Sequence, residues 1–186
     1  MDIIPKYNLP QFIDFLTKYK FPDFKSKHTA TAAMSYYLYA YHQFFSHTNN
    51  YVVFFKKRNP SHDQIMSSLR ISWSYAFGMY VHLRTAMDSL HIMRQMILDT
   101  TPVDRYYQQN IKRICDIAND MVKHPTFKYG LISEACEPQA LEMNGEIDIV
   151  NWSENGQYTG KESINPSKDF DCVHDYMEYL GNRLLN

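Results

Sequence analysis

Residues 61–98 read SHDQIMSSLRISWSYAFGMYVHLRTAMDSLHIMRQMIL, and residues 99–125 continue DTTPVDRYYQQNIKRICDIANDMVKHP. In the first stretch small or apolar residues return every three or four positions: Ile65, Leu69, Ser72, Ala76, Met79, Leu83, Ala86, Leu90, Met93 and Ile97. That spacing holds one face apolar for about five heptads and predicts a single helix of about 37 residues, roughly 55 Å long. Ser61, just after Pro60, is placed to cap its start. In the second stretch Thr101-Pro102-Val103-Asp104 combines a Thr cap, a proline at the first helical position and an acid at the third. The helix it opens is expected to run to about His124, before Pro125, with Tyr107, Ile111, Ile114, Ala118 and Met121 as its seam. Asp99, Thr100 and Thr101 alone separate the two patterns, so the helices should form an antiparallel hairpin.

The flanks add shorter elements. Asn8-Leu9-Pro10 opens a first helix with Leu9, Phe12, Ile13, Leu16 and Tyr19 on one face, ended by Phe21-Pro22-Asp23. A second helix is expected from about Lys27 to Ser46, and Tyr51 to Phe55 reads as a short strand or an extended connector. Past the hairpin, Glu146 to Val150 alternates after Asn144-Gly145, and a second turn-like run, 155–160, follows Trp152. Asn165-Pro166 then opens a last helix with Phe170, Val173, Met177, Leu180 and Leu184 inward. The sum is a mostly α chain, a helical bundle with a long antiparallel helix hairpin and a small β-hairpin insertion before the last helix. It reads as one domain over 1–186, with 1–60 an N-terminal helical extension and 140–163 the β-hairpin insertion.

Composition sets the function classes aside or keeps them. A hydrophobic share of 45% suffices for a core, which rules out wholesale disorder. Cys115, Cys136 and Cys172 form no CxxC pair and no disulfide framework, and no run approaches 18 apolar residues. A soluble, cytoplasmic protein of a reducing compartment is expected, with no membrane association. The net charge of −1 conceals +5 over residues 1–60, +2 over 61–130 and −8 over 131–186. The basic N-terminal part suits a phosphate backbone, while the overall balance excludes an obligate, strongly basic nucleic-acid coat. No phosphate-binding glycine loop, dinucleotide fingerprint, serine-hydrolase elbow or zinc-protease motif occurs, so no nucleotide cofactor is expected.

The polar residues that stand out lie at the end of the hairpin's second helix. At 100° per residue Arg113, Asp120 and His124 fall within about 40° of one another. Asp120 is placed to hold an imidazole N–H of His124, as a general acid or base requires, and Lys123 offers a point charge to a phosphate. The same pattern also arises from ordinary i,i+3 and i,i+4 pairing on a solvated face. Lys56, Lys57 and Arg58, beside Tyr51, Phe54 and Phe55 and the aromatic run from Tyr36 to Phe45, suggest a stacking and phosphate surface for RNA, or else core aromatics. Acid–His pairs at helical spacing (Asp88 with His91, Asp120 with His124, Asp171 with His174) leave a metal-binding bundle enzyme as a lesser alternative, although Asp88 also has an obvious i,i+4 partner in Arg84.

A long helix, a second ending in Asn119-Asp120-Met121-Val122-Lys123-His124, and a closing helix from about Ser167 together resemble the HEPN superfamily of helical domains. The resemblance covers roughly residues 62–185. It implies a dimeric module that cleaves or binds RNA, often in defence or toxin–antitoxin systems, with some members non-catalytic. The family's nuclease signature is an Arg followed after four to six residues by a His, commonly Arg-Asn-x-x-x-His. Here His124 takes the His position and Asp120 the Asn position, but Asn119 stands where the Arg belongs, and Arg113 lies too far upstream. The expectation is therefore a non-catalytic, homodimeric module binding RNA or a protein partner. The alternative is a metal-independent endoribonuclease in which His124, Asp120, Asn119 and Lys123 act, with Lys56, Lys57, Arg58 and Arg113 gripping RNA. No cofactor is expected in either case. Met66, Trp73, Phe77 and Tyr80 form a further apolar side that needs a partner, internal or from a second chain.

Overall fold

A computed structural model describes residues 8–55, 61–123, 147–152 and 158–186. Among the described residues five helices dominate: α1 Pro10–Lys18, α2 Phe24–Phe55, α3 His62–Met96, α4 Arg105–Lys123 and α5 Pro166–Leu185. Two segments, β1 Ile147–Trp152 and β2 Tyr158–Ile164, pair antiparallel with Ile147 opposite Ile164 and an irregularity at Asn151/Trp152. The chain is thus mostly helical, as its patterning required.

The α2–α3 pair is the spine. On α2 the buried residues are Ser26, Ala30, Ala33, Tyr37, Ala40 and Phe44, and on α3 they include Ala76, Met79, Leu83, Ala86, Leu90 and Met93. Both runs alternate steps of three and four, the repeat that keeps two long helices in contact along one seam. Ala30, Ala33, Ala40, Ala76 and Ala86 place small side chains in this seam, which lets the backbones approach. The helices run antiparallel: Thr29 Oγ1 lies 3.8 Å from Met96 Sδ, and Gly78 lies against the Gln43 side chain. Helix α5 closes the core from another side with Phe170, Val173, Met177 and Leu180, and α4 adds Ile114, Ile117 and Ala118. Each fully buried Leu, Met or Phe of this set contributes roughly 1.5–3 kcal/mol relative to exposure.

Several boundaries depart from the sequence reading. Helix α2 continues through Tyr51–Phe55, so that run is neither strand nor connector. Its β-branched and aromatic residues extend a helix that is already nucleated, and propagation is far less costly than nucleation. Helix α4 starts at Arg105 rather than after Thr101. Asp104, not Thr101, supplies the capping carboxylate, accepting from Tyr106 N at 2.8 Å. Thr101 is recruited instead by the α3 terminus, where its carbonyl accepts from Arg94 Nη2. Asn165 caps α5 as expected, its side chain accepting from Lys168 N at 3.0 Å with Pro166 in the first turn. Of the apolar side assigned to a partner, Tyr80 is fully buried and Phe77 packs against the core, so at these two positions the partner is internal.

Helix α1 shares this core. Leu9, Phe12 and Phe15 are fully buried. Leu9 offers no side-chain cap, and the Glu178 carboxylate on α5 takes that role, accepting from Gln11 N at 3.1 Å and Phe12 N at 3.2 Å. Gly181 makes the approach possible: a Cβ there would stand 2.6 Å from Phe12 Cα and 2.7 Å from the Gln11 carbonyl.

Candidate functional site

Three polar clusters sit within or against the bundle. The first lies where α3 turns into the loop before α4. Ile97, Leu98 and Asp99 close α3 by a Schellman turn, with Leu98 N donating to Gln95 O at 3.2 Å and Asp99 N to Arg94 O at 2.9 Å. The turn requires a left-handed residue, and Leu98 takes it at φ 57° although a glycine would do so without steric cost. Asp99 is thereby aimed back at the helix. Its carboxylate accepts from Arg94 Nε at 2.6 Å, from Thr101 N at 3.1 Å and from Arg183 of α5. Burial pushes its pKa up, but the bonds from Arg94 and Thr101 outweigh this and hold it below the usual carboxylate range.

The second cluster sits at the start of α5. Asp169 is 1% exposed; it accepts from the Tyr80 hydroxyl at 2.5 Å and pairs with Arg113 of α4. Burial dominates here and raises its pKa, against the pull of Tyr80 and Arg113. One turn further along, the Tyr37 hydroxyl and His174 Nδ1 are 2.7 Å apart in the core. Burial drives the Tyr37 pKa strongly upward, so the hydroxyl keeps its proton and can donate to a neutral imidazole. Cys115 and Cys172 are both pushed up to about 11 by burial, which leaves neither a nucleophile near neutral pH.

The third cluster holds part of the sequence-derived catalytic set. Asn119 Oδ1 accepts from Arg84 Nη1, and the same guanidinium pairs with Asp88 at 3.3 Å. Asp120 and Lys123 lie on the last turns of α4. Arg113 is elsewhere, directed at α5. His124, Lys56, Lys57 and Arg58 fall outside the described residues. Arg84 is the residue that sequence reasoning passed over. Its i,i+4 partner Asp88 was legible, but its reach to α4 depends on how the two helices pack. Of the three acid–His pairs, Asp120 with His124 lies outside the described side chains; in the other two Asp88 pairs with Arg84, the His91 ring faces Gln95 at 3.0 Å and His174 faces Tyr37. No group of three candidate metal ligands occurs among the described residues.

The aromatic run divides between core and surface. Tyr37 and Phe44 point inward and stack with Phe170 at 5.2 and 5.1 Å between centroids. Tyr39 and Phe45 are exposed. Tyr36, Tyr39 and His82 of α3 form a mutually contacting group, with centroids 5.5–6.3 Å apart. Phe24 stacks on His28 nearer the start of α2 at 5.8 Å. Burial lowers the His82 pKa and favours its neutral ring. Helix α2 carries ten aromatic residues, two lysines and three histidines over its 32 positions, and no Asp or Glu. Lys25, eleven residues before Tyr36, shares its side of the helix, since eleven steps return to within about 20°.

No family model, curated protein or solved structure matches this chain. No helix among the described residues is long and apolar enough to cross a membrane.

Proposed function

We propose that this chain is a non-catalytic, HEPN-like helical module that binds single-stranded RNA and works as a homodimer. In this reading the paired strands β1 and β2 belong to a β-hairpin insertion over 140–163. The observation that carries the binding role is the contact of Tyr36 and Tyr39, on a helix α2 that has no Asp or Glu, with His82 of α3. The exposed Tyr39 ring, with Tyr36 beside it, gives a base a stacking surface, and Lys25, on the same side of α2 about 16 Å along the axis, suits a phosphate of the same strand. The non-catalytic part is supported by the motif itself. Asn119 replaces the guanidinium expected to stabilise a scissile phosphate, and Arg113 is committed to Asp169.

The test is fluorescence anisotropy of a labelled single-stranded RNA with the wild type, Tyr39→Ala and Tyr36→Ala/Tyr39→Ala. Tyr39 is 53% exposed, so its truncation leaves the core intact. Stacking contributes about 1–3 kcal/mol per base, and the double variant should weaken binding by about fivefold or more. Unchanged affinity in that variant would overturn the assignment of this face.

A second reading is favoured by Arg84. It brings a guanidinium from α3 to Asn119, the position where the family signature has its Arg. A metal-independent endoribonuclease would then use His124 to deprotonate the 2′-hydroxyl, whose oxygen attacks the adjacent phosphorus to form a 2′,3′-cyclic phosphate while the P–O5′ bond breaks and the leaving oxygen takes a proton, with Arg84 near the phosphate. Cleavage in EDTA that is lost in both Arg84→Lys and His124→Ala would favour this reading over pure binding.

A further inference from the structure

A cavity of about 450 Å³ opens between the last turns of α3, the loop leading to α4, and the facing sides of α4 and α5. It shares no residue with the aromatic face or with the Arg84–Asn119 cluster. Met87, Val103 and Ile111 give it apolar walls, and its charged lining consists of Arg94 and Lys112, with His91 beside them. No carboxylate is among the lining residues. We propose that this cavity binds a small amphipathic anion, a carboxylate or phosphate monoester carried on a short apolar body.

The size falls within the range of about 300–1,000 Å³ common for small-molecule sites. The charge balance around it is uneven. Arg94 and Arg183 share the single carboxylate of Asp99, so the buried cluster behind the Arg94 wall retains one positive charge. Arg183 Nη1 is buried with no acceptor among the described residues. Lys112 pairs with Asp116 at 3.6 Å, but both side chains are largely exposed, at 79% and 58%, so this pairing holds the ammonium only weakly. Tyr176, buried on the α5 side, completes the wall, with its hydroxyl in a hydrogen bond with Arg94. Apolar surface beside an unbalanced positive charge is the combination that selects an anionic head and an apolar tail together.

Isothermal titration of the full-length chain with octanoate, octyl phosphate and 1-octanol, each below its aggregation threshold, tests this. The expected result is binding of both anions at least tenfold tighter than of the neutral alcohol. Tighter octyl phosphate assigns a phosphate head, and tighter octanoate assigns a carboxylate. The His91→Gln/Lys112→Gln double variant, at surface positions, should weaken both anions at least fivefold without altering the melting temperature of the free protein. Val103→Trp, which fills the cavity from the loop, should weaken both anions equally. Equal affinity for octanoate and 1-octanol would overturn the proposal, as would anion binding untouched by either variant or no binding of any of the three.

Discussion

Asp99 and Asp169 are both withdrawn from water, with side chains 7% and 2% exposed, yet the fold treats their charges in opposite ways. Asp99 sits on a turn whose backbone aims it at its partners, two arginines and one amide, and its pKa falls. Asp169 sits at the head of α5 among core aromatics, with one hydroxyl and one half-exposed arginine, and its pKa rises. Burial acts on both; the number and geometry of donors decides the sign. The Asp99 end is over-supplied with positive charge and borders an open cavity. The Asp169 end is a closed polar contact that ties α3, α4 and α5 together.

Removing Asp99 should have the largest effect. Asp99→Ala leaves Arg94 and Arg183 buried side by side without their anion, a loss expected at about 3–5 kcal/mol, read as a lower urea midpoint. Gly181→Ala strikes the same end of α5 through the backbone. The new Cβ collides with Phe12 and Gln11 main-chain atoms, and an overpacking cost of about 1–3 kcal/mol should appear as a lower melting temperature.

Asp169→Asn should cost about 1–2 kcal/mol, and its pH dependence sharpens the contrast. Asp169 has a raised folded pKa, so its contribution is fully present below the unfolded value of about 3.9 and is lost as pH rises through the folded value. The deficit of Asp169→Asn relative to wild type should therefore shrink from pH 3.5 to pH 7. Asp99 has a depressed folded pKa, so its contribution is present above about 3.9 and lost as pH falls through the folded value. The deficit of Asp99→Asn should grow over the same interval. Parallel pH slopes for the two variants would break the comparison. The smallest effect is a gain: Leu98→Gly relieves the left-handed leucine and should stabilise by about 0.5–1 kcal/mol in thermal melts.

What the sequence disclosed follows the range of the interactions involved. The α3 seam from Ala76 to Met93 and the Asn165 cap of α5 depend on local spacing, and both were legible. The start of α4 was not, because Thr101 is held in the α3 turn, its carbonyl by Arg94 and its N–H by Asp99, and Asp104 caps instead. Residues 51–55 are locally suited to a strand but continue the long α2 helix. In the candidate site, the Arg84–Asp88 pair was visible at i,i+4, whereas Arg84 to Asn119 and Arg113 to Asp169 span 35 and 56 residues and follow only from helix packing. The division of Tyr36 to Phe45 between surface and core likewise depends on the rotation of α2 against α3 and α5.

The most direct measurement is a single gel-shift experiment in EDTA with end-labelled single-stranded RNA, run on native and denaturing gels with the wild type, Tyr36→Ala/Tyr39→Ala and His124→Ala. A binding module predicts shifted, full-length RNA with the wild type and with His124→Ala, and a diminished shift with the tyrosine variant. Shortened RNA produced by the wild type but not by His124→Ala would contradict the account and make the chain a nuclease.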